Sequence, residues 1–105
     1  SNGHSVLIFC PTKRMCETTA KSLSVLLDVP ADDVASNMRE SITLEIRSQV
    51  AKCKQGLLEY IGRGVAFHHA GLTAEEREGV ERAYRNGACR VLAATSTLAA
   101  GVNLP

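Results

Sequence analysis

Residues 90–105, RVLAATSTLAAGVNLP, decide the fold because they join an apolar strand to a polar loop of small residues. The segment 90–95 predicts a strand, and its four central residues, VLAA, are apolar. Three hydroxyls follow in Thr95, Ser96 and Thr97. In open parallel sheets, ligands bind at the carboxyl ends of the strands. We therefore expect a central strand that leads directly into a binding loop.

Two further apolar runs predict the remaining strands. Residues 5–10, SVLIFC, are followed by Pro11, and residues 65–69, VAFHH, follow Gly62 and Gly64. Helical patterns separate the three strands, so the order along the chain is β-α-α-β-α-β. Helical crossovers between apolar strands imply parallel pairing with right-handed connections. The sequence thus predicts an α/β fold built on a parallel sheet.

The first two helical segments are predicted from apolar positions that recur every three or four residues. Thr12 can cap the first helix. The apolar positions of that helix are Cys16, Ala20, Leu23 and Leu27. The apolar positions of the second stretch are Ile42, Ile46, Val50, Cys53, Leu57 and Ile61. The pattern leaves open whether residues 28–60 form one helix or two.

The last helix has the clearest start signal in the chain. Thr73 and Glu76 have capping-box spacing, so the hydroxyl accepts from the backbone three residues on while the carboxylate reaches back to the cap N–H. Asn86 and Gly87 provide a left-handed stop. The apolar face between these signals is formed by Val80, Ala83 and Tyr84. A helix that begins after Thr73 and ends near Asn86 is therefore expected.

The charged side chains of this helix predict a solvated face with ion pairs three or four residues apart. They are Glu75, Glu76, Arg77, Glu78, Glu81, Arg82 and Arg85. Arg77 is the exception to consider, because it lies close to the loop at residues 70–73.

The composition is typical of a globular protein, and the charge balance does not by itself indicate a nucleic-acid-binding protein. Its 105 residues suit one small domain, and 12 basic against 11 acidic residues give a net charge of +1. The apolar runs are far shorter than the roughly 20 residues that a membrane span needs. These features indicate a cytosolic or nuclear protein. The cysteines lack paired spacing, which favours free buried thiols over disulfides or a zinc site.

Polar segments follow all three predicted strands, at residues 10–13, 68–73 and 95–101. They should converge on one edge of the sheet. Threonine hydroxyls and free N–H groups at helix starts favour phosphate oxygens. Gly71 and Gly101 permit close approach of a backbone, and Lys13 adds positive charge. A phosphodiester chain would fit this edge, although threonine caps and glycines are also common without any ligand.

The histidine pair and Cys10 permit other interpretations. His68 and His69 could bind a metal, but adjacent strand residues point to opposite faces, which favours one buried, hydrogen-bonded histidine and one near the edge. Cys10 could be a nucleophile, but no serine or cysteine here belongs to a G-x-S-x-G elbow. The metal-binding and nucleophile interpretations are therefore weaker than the phosphate-binding interpretation.

Three segments together resemble the second motor domain of superfamily 2 helicases, in the polymerase theta and HelQ-type group. They are VLIFCPTK at 6–13, GVAFHHAGLT at 64–73 with the EERE that follows, and RVLAATSTLAAGVNLP at 90–105. They are similar to motifs IV, IVa and V of that family, the last being the most specific. The resemblance implies a RecA-like, three-layer parallel sheet with helical crossovers, and it covers the chain least clearly at residues 28–60.

The resemblance also implies roles for individual residues. Contact with single-stranded DNA phosphates falls to Thr12, Lys13, His69, Gly71, Thr73, Thr95 and Thr97, with the loop at 69–73 lining or bracing the path. Gly101 and Asn103 match the nucleotide side of motif V. No residue of the chain is expected to be catalytic and none to bind a metal.

The chain lacks a G-x-x-x-x-G-K-[ST] phosphate loop, an acidic D-E-x-H segment and a motif VI. We therefore expect residues 1–105 to be a single partial domain, cut after motif V, of a larger nuclear enzyme. The resemblance implies that the parent is an ATP-dependent DNA helicase, or ATP hydrolase, that acts in DNA repair. It would use ATP and Mg²⁺, and it would pair this domain with a first RecA-like domain.

The isolated chain is expected to be inactive, and its exposed sheet edge could promote self-association. Two alternatives remain. One is an RNA helicase of the related Ski-like or spliceosomal branch, and the other is a non-catalytic truncated interaction module.

Overall fold

The computed structural model describes residues 5–28 and 32–95. Strand β1 spans Val6–Phe9, β2 spans Val65–His68 and β3 spans Val91–Ala94. The three strands form one parallel sheet in the order β1-β3-β2. The predicted parallel pairing and the central place of the last strand are therefore confirmed.

Helices α1 and α4 begin at the threonine caps that the sequence predicts. Helix α1 spans Lys13–Leu26, and the Thr12 hydroxyl accepts from the backbone N–H of Met15. Helix α4 spans Ala74–Arg85, and both bonds of the capping box between Thr73 and Glu76 are present. Each helix therefore starts within a few residues of the carboxyl end of a strand.

The stretch between β1 and β2 contains two further helices, which answers the question that the sequence leaves open. Helix α2 spans Asp33–Gln49 and α3 spans Leu57–Gly62. Gly56 precedes α3 with φ +84°, a left-handed conformation that a side chain disfavours. A Cβ at this position would also lie 2.5 Å from the Tyr60 ring. The apolar stripe predicted for residues 42–61 is therefore divided between α2 and α3, and α3 begins after a position that favours glycine.

The hydrophobic core lies between the sheet and its helices. Its largest fully buried side chains include Phe67, Ile46, Leu57, Ile61 and Leu92. Strand alternation sends His68 toward Glu81 of α4 and His69 toward Glu17 of α1. Helices therefore flank the sheet on both faces, as in an α/β fold.

One position of the predicted α1 stripe, Leu27, is wrong. Leu27 caps the helix and is 40% exposed, whereas Ser24 is buried and donates to the Lys21 carbonyl. The helix ends at Leu26, so Leu27 has extended backbone geometry and no longer follows the helical period. The free-thiol prediction is confirmed, because all four cysteines are unpaired and only Cys53 is not fully buried.

Among the residues described, no helix combines the length and the apolar content that a bilayer span requires.

Candidate nucleic-acid interface

The carboxyl ends of the three strands lie level with one another at one edge of the sheet. Phe9 and His68 are both in register with Ala94 of the central strand. Two backbone bonds continue the ladder past the strand ends, from the Cys10 N–H to the Ala94 carbonyl and from the Thr95 N–H to the His68 carbonyl. The segments that follow β1, β2 and β3 therefore start side by side, as the sequence predicts.

The segment after β1 is exposed and is held mainly by a local cap. Thr12 and Lys13 are both exposed, and the Thr12 hydroxyl lies 3.0 Å from the Met15 nitrogen that donates to it. The Lys13 Cδ lies 3.8 Å from the position that a Cβ would take on Gly71. The first two polar segments are therefore neighbours, and the exposed Lys13 lies beside Gly71.

The segment after β2 is fixed by a buried carboxylate. Glu76 is 2% exposed; its Oε1 accepts from the Thr73 N–H at 2.7 Å and its Oε2 accepts from the Lys54 N–H at 2.7 Å. The expected solvated position of Glu76 is therefore wrong, because the capping box turns this carboxylate inward. Arg77 is the exception that the sequence suggested, and its guanidinium donates to the Leu72 carbonyl at 2.6 Å.

His69 is buried, with both ring nitrogens in hydrogen bonds. It is 1% exposed, and its Nδ1 accepts from the Gly71 N–H at 2.9 Å. The ring proton therefore lies on Nε2, which donates to Glu17 Oε2 at 2.6 Å. A Cβ on Gly71 would lie 2.9 Å from the His69 Cε1, so the tight turn over the ring needs glycine here. This geometry makes His69 a brace for the loop at 69–73.

His68 is also buried, so the expectation that only one histidine of the pair is buried is wrong. It is 5% exposed, and its Nε2 lies 2.8 Å from Glu81 Oε2. Its Nδ1 is buried without a hydrogen-bond partner among the described residues. Burial lowers the pKa of His68 from its ordinary value of 6.5, against the opposing effect of Glu81. Both histidines are buried because each meets a carboxylate of a flanking helix.

Sequence reasoning missed Glu17 and Lys54 as parts of this site. Glu17 Oε2 accepts from His69 and lies 3.6 Å from the Lys54 Nζ, while the Lys54 N–H donates to Glu76. Lys54 thereby joins the two carboxylates that hold the loop at 69–73. Neither residue belongs to a recognisable motif, and their partners lie 22 or more residues away in the chain.

The structure brings only part of the predicted site together. Thr12, Lys13, His69, Gly71, Thr73 and Thr95 lie at or next to the carboxyl edge. The predicted contacts at Thr97, Gly101 and Asn103 lie outside the described residues.

Cys16, in the first turn of α1, is not set up as a nucleophile. Burial raises the pKa of the Cys16 thiol to about 11, and its Sγ donates to the Ala93 carbonyl at 3.0 Å. Only the thiolate is a strong nucleophile. Within residues 5–28 and 32–95, no group of three or more His, Cys, Asp or Glu side chains could hold a metal ion.

A family model matches most of the sequence of this chain. The model of the helicase conserved C-terminal domain matches residues 31–105, so the chain belongs to that family.

Within this family, the chain is similar to relatives of the following kinds. The chain is 44% identical over 118 residues to DNA polymerase theta of Mus musculus, which covers 99% of this chain and 5% of the relative. It is 43% identical over 105 residues to the ATP-dependent DNA helicase Hel308 of Thermoplasma volcanium, covering 99% of this chain and 14% of the relative. It is 37% identical over 108 residues to Helicase POLQ-like of Homo sapiens, covering 98% and 9%. The chain therefore spans only a small part of the relatives it matches.

Proposed function

We propose that this chain is part of the second RecA-like motor domain of an ATP-dependent DNA helicase of the polymerase theta and HelQ type. The family match and the likeness to relatives that are named as DNA helicases support this assignment. The proposed parent acts in DNA repair in the nucleus. Its first RecA-like domain would face this one across an ATP cleft.

The proposed role of the carboxyl edge is to grip the phosphates of single-stranded DNA. The observation that carries this role is the common level of the three strand ends, at which the three polar segments begin. Lys13 supplies positive charge, and Thr12 and Thr95 lie where the backbone of a bound strand would pass. Thr97 extends the same grip beyond the described residues. Contacts of this kind read the nucleic-acid backbone and not its sequence.

Residues of the loop at 69–73 divide between contact and support. Gly71 lies next to Lys13 and leaves room for a phosphate, while Thr73 keeps its hydroxyl in the cap of α4. His69 supports the loop, because its two ring nitrogens form hydrogen bonds with Glu17 and with the Gly71 N–H. We assign His69 to the interface as a brace and not as a direct phosphate ligand.

ATP and Mg²⁺ belong to the proposed parent. The described residues offer no cluster of metal ligands that fits Mg²⁺. We assign none of these residues a role in nucleotide chemistry, and only Gly101 and Asn103 are proposed to face the nucleotide side. Hydrolysis by the isolated 105-residue chain is therefore expected to be absent.

The test uses the full-length protein that carries this sequence. Thr97→Ala should lower single-stranded-DNA-stimulated ATP hydrolysis by roughly ten-fold, the value of one hydrogen bond to a charged group. Lys13→Gln should weaken DNA binding and reduce the dependence of log K on log salt by about 0.7, the share of one phosphate on a single strand. Thr43→Ala is the matched control, because Thr43 lies on α2 and its hydroxyl donates to the Glu40 carbonyl of the same helix.

Unchanged stimulation in Thr97→Ala together with an unchanged salt slope in Lys13→Gln would overturn the proposed grip. Equal stimulation of ATP hydrolysis by RNA and DNA would move the assignment to the RNA helicase branch. Lack of any nucleic-acid-stimulated hydrolysis in the full-length protein would leave the interaction module as the better reading.

A further inference from the structure

A cavity lies at the edge of the sheet opposite the proposed DNA interface. It has a volume of about 220 Å³ and is bordered by Gly64 and Arg90, which immediately precede β2 and β3. The end of α1 at Leu27 and the first half of α2 at Arg39 close its other sides. The cavity is thus formed at the amino ends of the strands and shares no residue with the carboxyl edge.

The central feature of this cavity is a buried arginine. Arg39 is 8% exposed, and its Nη1 donates to the Ala88 carbonyl at 3.2 Å. All 11 acidic residues of the chain lie within residues 5–28 and 32–95, yet no ion pair of that part of the chain includes Arg39. A guanidinium has five N–H donors and is rarely buried without an anionic partner. Arg39 therefore carries a positive charge that no carboxylate of the described residues pairs with.

Two more arginines border the same cavity. Arg63 and Arg90 are exposed, and neither takes part in an ion pair of the described residues. The guanidinium of Arg63 donates to the Ser24 carbonyl at 3.5 Å. Three guanidiniums thus border a single cavity, each without a carboxylate partner in the part of the chain that the structure describes.

Two carboxylates also border the cavity, but they do not cancel its charge. Asp32 is used as the cap of α2, where its Oδ1 accepts from the N–H groups of Val34 and Ala35. Asp28 is exposed at the rim. Three positive and two negative side chains leave an excess of positive charge in the cavity.

The remaining walls are apolar. They are contributed by Leu27, Ala35, Val65, Ala88 and Val91. A bare inorganic anion would leave this surface in contact with water, whereas a ligand with an apolar part would cover it. A volume of about 220 Å³ is also several times the roughly 30 Å³ that one water takes up in the liquid.

We propose that this cavity binds a small phosphate monoester with an apolar substituent. Arg39, Arg63 and Arg90 hold the phosphate, and the apolar walls hold the substituent. A phosphate monoester matches three guanidiniums better than a carboxylate does, because it offers three acceptor oxygens and up to two negative charges. The site is independent of the DNA grip, since it lies at the other end of the strands.

The test titrates the ¹⁵N-labelled chain with phenyl phosphate, inorganic phosphate and benzyl alcohol at constant ionic strength. Amide chemical shifts at Gly64, Ala88 and Arg90 report the cavity, and those at Gly71 and Thr73 report the opposite edge. Phenyl phosphate should move the first set and bind roughly ten-fold more tightly than inorganic phosphate, because it also buries an aromatic ring. Benzyl alcohol, which lacks the phosphate, should leave both sets unchanged.

Matched variants then test the arginines. Arg39→Met and Arg90→Met should each weaken phenyl phosphate binding by roughly ten-fold through loss of a charge-assisted bond. Arg47→Met is the control, because Arg47 lies on the same helix but borders a different cavity. Asp28→Asn should strengthen binding, because it removes a negative charge from the rim. Arg90 is exposed, so its variant tests the site even if Arg39→Met does not fold.

Equal affinity of Arg39→Met, Arg90→Met and Arg47→Met would overturn the proposal, as would binding that moves only the amides at Gly71 and Thr73. Equal binding of phenyl phosphate and benzyl alcohol would show an apolar pocket without anion selectivity and would overturn it as well.

Discussion

The loops that follow β1 and β2 have the same design in sequence but are held differently in the structure. Each ends in a threonine that caps the next helix, Thr12 in the first and Thr73 in the second. The first cap is exposed and rests on one side-chain bond. The second is joined to the buried Glu76, which also accepts from the Lys54 backbone. The second loop is therefore fixed by contacts distant in sequence, and the first by a contact within one helical turn.

The two loops are also connected through helix α1. Glu17 lies on the helix that the first loop begins, yet its carboxylate accepts from His69 at the start of the second loop. A phosphate-binding edge needs its groups in fixed positions relative to one another. In the proposed DNA interface, the second loop, which distant contacts hold in place, would be the reference position, and the exposed Lys13 and Thr12 would adjust to the bound strand.

The largest expected effect comes from removing the carboxylate that fixes the second loop. Glu76→Ala leaves the N–H groups of Thr73 and Lys54 without their acceptor, which should destabilise the chain by about 3 kcal/mol. The measurement is urea unfolding followed by circular dichroism. Glu75→Ala, at the exposed neighbouring position, is the control and should change stability by less than about 0.5 kcal/mol. Similar losses in both variants would mean that the second loop is no better anchored than the helix surface.

The next effect tests the brace between α1 and the second loop. Glu17→Ala leaves the buried His69 Nε2–H without an acceptor and should cost about 2 kcal/mol, whereas Glu17→Gln keeps an acceptor and should cost less. Lys54→Gln removes only a partly exposed ion pair and should cost less than about 1 kcal/mol. The same unfolding measurement ranks the three variants. A loss in Lys54→Gln as large as that in Glu17→Ala would show that the ion pair, and not the bond to His69, carries the connection.

Much of this fold could be predicted because its signals are local. The apolar runs of the strands, the cap at Thr12 and the capping box at Thr73 each lie within a few residues. Parallel pairing then follows from the helical crossovers. The level strand ends, on which the candidate site depends, are a consequence of that pairing.

The hydrogen bonds that hold the site together could not be predicted, because they join residues that are distant in sequence. Glu76 has the spacing of a surface residue on α4, and only the fold brings it to the Lys54 backbone, 22 residues away. Glu17 has no motif and meets His69 at a separation of 52 residues. The burial of Arg39 could not be predicted for the same reason, since its acceptor is the Ala88 carbonyl, 49 residues away.

A smaller effect is expected at the first loop. Thr12→Ala removes the hydroxyl that accepts from the Met15 N–H and should cost about 1 kcal/mol, the usual value of a helix cap. Thr18→Ala, at an exposed position inside the same helix, should change stability by less than about 0.5 kcal/mol. Urea unfolding again provides the comparison. If Thr12→Ala costs as much as Glu76→Ala, the first loop is anchored by more than its cap and the contrast between the loops fails.

The smallest effect appears only on acidification and concerns His68, on the other face of the sheet from Glu17. Burial lowers the pKa of His68 below its ordinary value of 6.5, Arg77 and His69 lower it further, and Glu81 opposes the shift. As pH falls below 6.5, the unfolded chain therefore binds a proton at this site that the folded chain does not, so stability declines. His68→Gln should make the decline between pH 7 and pH 5 shallower, by at most the ~1.4 kcal/mol per pH unit that one proton allows. The control is His69→Gln, which removes the brace and should lower stability already at pH 7. A variant at His68 with the same pH slope as the wild-type chain would show that this buried imidazole does not govern the acid response, and that its contact with Glu81 offsets its burial.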